Sequence, residues 1–168
     1  MIKNLIATLN ILFISSTFAQ PIPRSDTLTW KHYSGGFPID LPSLFRPGII
    51  TNSGIQWFEN TDTSIHGEYS LSVDLLAEHT VTTSADIKKS FEERREIAKS
   101  NGDKITYELL KPNFFIVSGT LKDVDDDFIW YCKGINHKGR YYELYIRYMP
   151  PYKIFFDSIL PRIATSFH

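Results

Sequence analysis

A chain of 168 residues, 42% hydrophobic and 14% aromatic, is long enough to bury one sizeable core. Its formal net charge of −1, with basic residues scattered among acids, excludes the concentrated basic surface that nucleic acid demands. The lone cysteine, Cys132, excludes an internal disulfide and a cysteine-rich zinc site, so the fold must stand on its hydrophobic core.

Residues 1–19 read as a secretory signal peptide. Lys3 supplies a positive start, Leu5 to Ile14 an apolar core, and Thr17-Phe18-Ala19 a small-residue cleavage site. The apolar run is short for a bilayer span and Asn10 interrupts it, and no later stretch is long and apolar enough to cross. The expectation is an exported protein, periplasmic or extracellular after cleavage, with no membrane span in the mature chain. Residues 20–29, polar and carrying Pro21 and Pro23, read as a short linker, and 30–168 as a single domain.

Short extended segments are expected at Trp30 to Tyr33 and Phe37 to Leu41, with Pro38, Pro42 and Pro47 confining this region to a sheet edge or loops. Asn52-Ser53-Gly54 marks a turn before a strand over Ile55 to Glu59. Residues 67–76 alternate strictly: Tyr69, Leu71, Val73 and Leu75 are apolar, with Glu68, Ser70, Ser72 and Asp74 between them. That period of two predicts a strand with one face on a core and the other toward water. A helix follows, capped by Thr83 or Ser84. Ile87, Phe91, Arg94 and Ala98 form its inward stripe, Lys88–Glu92 and Lys89–Glu93 lie on the solvated side, and Asn101-Gly102 is its stop.

Four strands are then predicted, over Ile105 to Leu110, Phe114 to Thr120, Phe128 to Ile135 and Arg140 to Tyr148. The stretch 136–139, with its glycine, joins the last two as a hairpin. Phe114 to Val117 and Phe128 to Cys132 are apolar on both faces, as central strands are. Residues 151–167 read as a helix with Phe155, Ile159 and Ile163 on one face, which Pro161 should kink or divide. Strands, a helix, a run of strands and a closing helix make an α+β fold: a mostly antiparallel β-sheet flanked by helices.

The runs GGFPIDLPSLF, GIQWFENTD, TTSADIKKSFEERRE, ITYELLKPNFFIVSGTL and YYELYIRYMP, with the closing IATSF, together resemble the PsbP-like α/β/α sandwich superfamily over roughly residues 30–167. The resemblance implies that sandwich fold and a binding or assembly role without catalysis. A chaperone-like factor falls within the same range. It carries over no functional residue, because the superfamily has no shared active-site motif.

The residues themselves hold little recognisable chemistry. No HxxxH or HExxH pairs the five histidines, and GxxxxGK[ST], GxGxxG and GxSxG do not occur. No cofactor is expected. The stretch LKDVDDDFIWYCKG, residues 121–134, is the most suggestive. Asp123, Asp125 and Asp127 alternate like the first ligands of a calcium loop, but Phe128 stands where the loop needs glycine and Gly134 where it needs the bidentate glutamate. A looser cation site from Asp123, Asp125, Asp126 and Asp127 is one reading, and a solvated turn into a strand is the favoured one. Cys132 shares strand parity with Phe128 and Trp130 and is expected to be a buried, inert thiol. If the protein binds a partner protein or an apolar ligand, the candidate residues are the aromatics Trp57, Trp130, Tyr131, Tyr142 and Tyr145 on a sheet surface or cleft. The alternative is a small envelope enzyme with a dispersed active site.

Overall fold

The computed structural model describes residues 27–34, 37–50, 55–60, 69–75, 84–122 and 127–168. In chain order the elements are β1 (Trp30–Tyr33), β2 (Ile39–Pro42), β3 (Phe45–Ile50), β4 (Ile55–Asn60), β5 (Tyr69–Leu75), α1 (Ser84–Ser100), β6 (Lys104–Leu110), β7 (Phe114–Lys122), β8 (Asp127–His137), β9 (Arg140–Tyr148) and α2 (Lys153–Ser166), the last entered through a short 3₁₀ turn at Pro150–Tyr152. Seven strands form one sheet in the order β3-β4-β5-β9-β8-β7-β6, and β1 and β2 pair separately as a hairpin. Every pairing is antiparallel.

The sheet order explains the role of α1. After β5 the chain crosses to the far edge, and β6 to β9 then return strand by strand until β9 pairs with β5. Lys138 and Gly139, with φ of 54° and 76°, turn β8 into β9 as a two-residue loop whose doubly positive φ matches the twist of a hairpin. The expected boundaries of the four C-terminal strands hold to within a few residues. The edge strand β3, with Pro47 in it and an irregular register between Pro47 and Ile50, occupies a region that reads in sequence only as edge or loop. The strand expected over 67–76 is β5. Its side chains, and those of β4 other than Phe58, lie outside what is described.

Each face of the sheet carries its own core. On one face α1 buries Ile87, Phe91 and Ala98 against Phe115, Val117, Trp130, Cys132 and Tyr141. On the other, α2 and the β1–β2 hairpin cover Tyr131, Ile135, Tyr142, Leu144, Ile146 and Tyr148 with Phe155, Phe156, Ile159, Ile163 and Phe167, and with Phe37, Ile39 and Leu41. Alternation along β8 and β9 assigns these residues: odd-numbered positions of β9 face α1 and even-numbered ones face α2, while β8 runs the opposite way.

Of the kink or division expected at Pro161, the division does not occur. The helix runs unbroken from Lys153 to Ser166 with Pro161 inside it. Proline removes the donor to the carbonyl four residues earlier, at Asp157. Both residues lie on the exposed side of the helix, where water can serve that carbonyl, while Phe155, Ile159 and Ile163 remain buried on the apolar face.

Candidate binding cleft

The C-terminal end of α1 is built by its sequence. Gly102 sits at φ 79°, its N–H donates to the Lys99 carbonyl at 3.0 Å, and the Asp103 N–H donates to the Ala98 carbonyl at 2.9 Å. These two bonds are those of a Schellman motif, which needs glycine at the left-handed position. The residue after that glycine usually makes an apolar contact back to the helix. Here it is Asp103, partly buried, with its Oδ1 shielded from water.

Beneath this turn lies Trp130, 1% exposed. Its indole fits because the facing residue on β7 is Gly119. A Cβ there would come within 2.5 Å of the Lys104 carbonyl oxygen and 2.9 Å of the indole ring. Trp130 lies nearly parallel to Tyr145, with ring centroids 6.3 Å apart and planes 15° apart. Arg94, Ile97, Ala98, Asn101, Asp103, Trp130 and Tyr145 together line a cleft of about 60 Å³.

Two polar atoms make this cleft unusual. Among the described residues, Asp103 Oδ1, Trp130 Nε1 and the Tyr131 hydroxyl are buried without a hydrogen-bond partner in the protein, and the first two belong to residues lining the cleft. Buried polar groups are ordinarily paired, so an orphaned atom on each of two residues lining one cleft calls for a cause. They are complementary, since the indole N–H only donates and the carboxylate oxygen accepts. Burial also pushes the Asp103 carboxyl above its ordinary pKa.

Next to the cleft, a buried charged network ties α1 to the sheet. The Arg94 guanidinium grips both oxygens of Glu143, with Nε to Oε1 at 3.4 Å and Nη2 to Oε2, and the Tyr141 hydroxyl donates to Oε1 at 2.5 Å. Glu143 is 4% exposed, so its carboxyl oxygens are met by these donors rather than by water. Burial acts to lower the pKa of Arg94, but its neighbours Cys132 and Glu143 outweigh it and the net shift is upward. Burial, reinforced by Glu143, raises that of Tyr141. Cys132 belongs to the same neighbourhood, fully buried as expected. Burial lifts its thiol well above the ordinary value, and Arg94, which pulls the other way, does not offset this. The thiol is therefore protonated and shielded. The Arg94 contact is absent from the strand's own sequence, though its signal lies in the inward stripe of α1.

The aromatic residues singled out in the sequence do not form one surface. Trp130 and Tyr145 face α1 and meet at the cleft, with Tyr145 half-buried. Tyr131 and Tyr142 lie on the opposite face, 7% and 3% exposed, inside the core under α2 and the hairpin. The side chain of Trp57 lies outside what is described, and so do Asp123, Asp125 and Asp126. Asp127 opens β8, exposed, with its Cα paired to that of Lys122. Among the described residues no three His, Cys, Asp or Glu side chains gather where they could hold a metal ion. His32, in β1, pairs through Nδ1 with Asp40 Oδ1 at 2.8 Å on the far side of the sheet from the cleft. Arg162 stacks on Trp30 at 4.2 Å and approaches the same aspartate at 3.5 Å. Sequence reading passed over Asp103, whose only sign was a carboxylate directly after the helix-stopping glycine.

No protein-family model matches the chain, and a search of curated proteins found no match. Solved structures do resemble it. Cyanobacterial PsbP (CyanoP) from Synechocystis sp. PCC 6803 superposes with a TM-score of 0.58 at 15% identity, covering 84% of this chain and 92% of that one. The Saccharomyces cerevisiae Ran-binding protein Mog1p superposes with a TM-score of 0.57 at 14% identity, covering 84% of this chain and 96% of that one. The chain therefore has the PsbP-like fold, α+β with an antiparallel sheet between helices. Among the described residues no helix is long and apolar enough to cross a membrane.

Proposed function

We propose that this chain is an exported, non-catalytic binding or accessory protein that engages a partner protein at the cleft under the end of α1. The observation that carries the reading is the pair of complementary unpartnered atoms, Trp130 Nε1 and Asp103 Oδ1, on residues lining one small cleft. An orphaned buried polar group costs about 1–3 kcal/mol, and a fold that keeps two of them together gains that back when a guest satisfies them. Export is supported by the three-part signature of residues 1–19. A binding role is supported by analogy with the fold, since one of the structures that share it is a Ran-binding protein. Ile97, 47% exposed, and the exposed Asn101 form the accessible rim that a protein partner would meet first.

The test uses the full chain expressed in its own host and cross-linked in the envelope, with products quantified for wild type, Ile97→Glu and a control Ile154→Glu. Ile154 is 84% exposed on α2, away from the cleft. The expected outcome is loss of one specific cross-linked product in Ile97→Glu alone, with its melting temperature unchanged. Identical products from all three proteins would exclude the cleft as the docking site.

A further inference from the structure

We propose that Asn101–Gly102, at the end of α1, is a self-modification site where the asparagine undergoes intramolecular deamidation when the last turn of the helix opens. Of the asparagines in the chain, Asn101 alone is followed by glycine. Glycine matters because the backbone nitrogen of the next residue attacks the asparagine side-chain carbonyl, and a residue without Cβ leaves that nitrogen unhindered. The position is open. Asn101 and Gly102 are both exposed, and a Cβ built at Gly102 would meet nothing within 4 Å.

Water is the only other reactant. The Gly102 nitrogen bonds to Cγ of Asn101 and gives up its proton, and the side-chain nitrogen leaves as ammonia, so that a cyclic imide closes. Water then opens the ring at either carbonyl, and no electrons are gained or lost. One opening leaves aspartate at position 101. The other leaves isoaspartate, in which the backbone runs through the side-chain carbons and is longer by a methylene.

The fold holds this reaction back. The Gly102 N–H donates to the Lys99 carbonyl at 3.0 Å, and the Asp103 N–H donates to the Ala98 carbonyl at 2.9 Å. The attacking nitrogen must leave the first of these bonds before it can reach Cγ. Helix ends open more readily than helix centres, and Lys99 to Gly102 are all exposed. The rate is therefore set by the small population of open turns.

The product bears on the cleft. Either opening of the ring places a carboxylate at the negative end of the α1 dipole, two positions before Asp103. Isoaspartate adds its methylene between the helix and the Gly102 and Asp103 N–H groups, so both are displaced from the carbonyls they serve. Asn101 and Asp103 both line the cleft, which the modification thus alters from within. That consequence rests on reading the cleft as the docking site, whereas the chemistry does not.

The test ages the full chain at physiological temperature and pH, folded and in unfolding urea, and follows the peptide containing residue 101 by chromatography and mass spectrometry. Aspartate and isoaspartate should accumulate there in both samples, about ten- to a hundredfold more slowly in the folded chain. Asn101→Gln should abolish both products. In urea too dilute to unfold the protein, the rate should climb in step with hydrogen exchange at the Gly102 amide. Equal rates in the folded and unfolded chains, or a rate that ignores Gly102 exchange, would overturn the gating by the turn. A folded chain unmodified at Asn101 after about a hundred half-lives of the unfolded reaction would overturn the site itself. In the cross-linking assay, Asn101→Asp should lose at least about half of the Ile97-dependent product. If Asn101 deamidates but Asn101→Asp cross-links as wild type does, the site stands and its bearing on docking falls. If Ile97→Glu also changes nothing, the docking reading falls with it.

Discussion

Lys133 shows how a single residue is decided by where its strand lies. It follows Cys132 in β8 and points to the opposite face, where its ammonium donates to the carbonyls of Ala164 at 2.6 Å and Phe167 at 2.7 Å and lies 5.0 Å from the centre of the Phe114 ring. It thereby satisfies carbonyls at the C-terminal end of α2, where a cation is favoured. Burial lowers its pKa from 10.5 to about 8. The unfolded chain thus holds this proton more tightly than the folded one, and between pH 8 and 10.5 the unfolded state binds more protons. Through this group stability rises with pH across that window, and the cost of the buried charge is fully present below it. In the same window the buried Cys132 thiol, raised well above its ordinary value, acts in the opposite sense. The comparison isolates Lys133: between about pH 8 and about pH 10 the urea midpoint of the wild type should gain on that of Lys133→Met. Above that range burial, which raises Tyr145 and Tyr148 to about 12, acts in the opposite sense, because the folded state then binds more protons than the unfolded. A midpoint whose pH dependence is the same in both proteins would contradict the assignment.

Among the elements, the contact between β7 and β8 sets the cleft. Gly119 is the position on β7 over which the Trp130 indole lies, and the Lys104 carbonyl of β6 closes the same space from the other side. A methyl group there meets backbone as well as ring, so neither neighbour can yield cheaply. Gly119→Ala should cost about 1–3 kcal/mol, read as a lower urea midpoint with an unchanged slope. It should also move the Trp130 indole resonance while leaving that of Trp30 in place. An alanine variant as stable as wild type, with an unmoved indole, would show that the indole does not need this slot. The helix above it was largely legible in sequence. The inward stripe of Ile87, Phe91, Arg94 and Ala98 and the stop at Asn101-Gly102 both follow from local rules of spacing and handedness. The outer pairs were less so. Lys89–Glu93 forms at 3.7 Å, but Glu92 pairs with Arg95, which also reaches Glu108 on β6. Glu92 is taken within the helix by Arg95, which keeps that local partner and bridges on to the strand.

At the scale of the molecule, one antiparallel sheet carries two cores on its faces, and its stability should be graded from centre to edge. β8 and β9 are bonded on both sides and covered on both faces, whereas β6 is an edge strand, exposed along much of its length and with an irregular register between Ile105 and Tyr107. Native-state hydrogen exchange should therefore be slowest at Trp130 to Ile135 and Leu144 to Ile146 and clearly faster along Lys104 to Leu110. Equal protection of β6 and β8 would argue against this grading. The edges also bear the usual deterrents to pairing with another chain. Pro47 lies in β3, and the irregular register and Lys104 lie in β6.

Much of this was present in the chain before any fold. Apolar runs and a turn signal specify β8, β9 and a hairpin between them, read in sequence over 136–139 and drawn in by the pairing of His137 with Arg140 to Lys138 and Gly139 alone. Apolar periodicity specifies both helices, and strand parity buries Cys132, because each of these depends on neighbours a few positions away. The aromatic candidates show the limit of such rules. Parity separates Trp130 from Tyr131 onto opposite faces, yet which faces are covered depends on where α1, α2 and the β1–β2 hairpin come to rest. The grip of Arg94 on Glu143 joins residues 49 positions apart, and the meeting of Asp103 with Trp130 likewise required the chain to cross the sheet and return. Local order follows from short-range sterics and capping, whereas juxtaposition of distant polar groups is decided only when the strands take their order in the sheet.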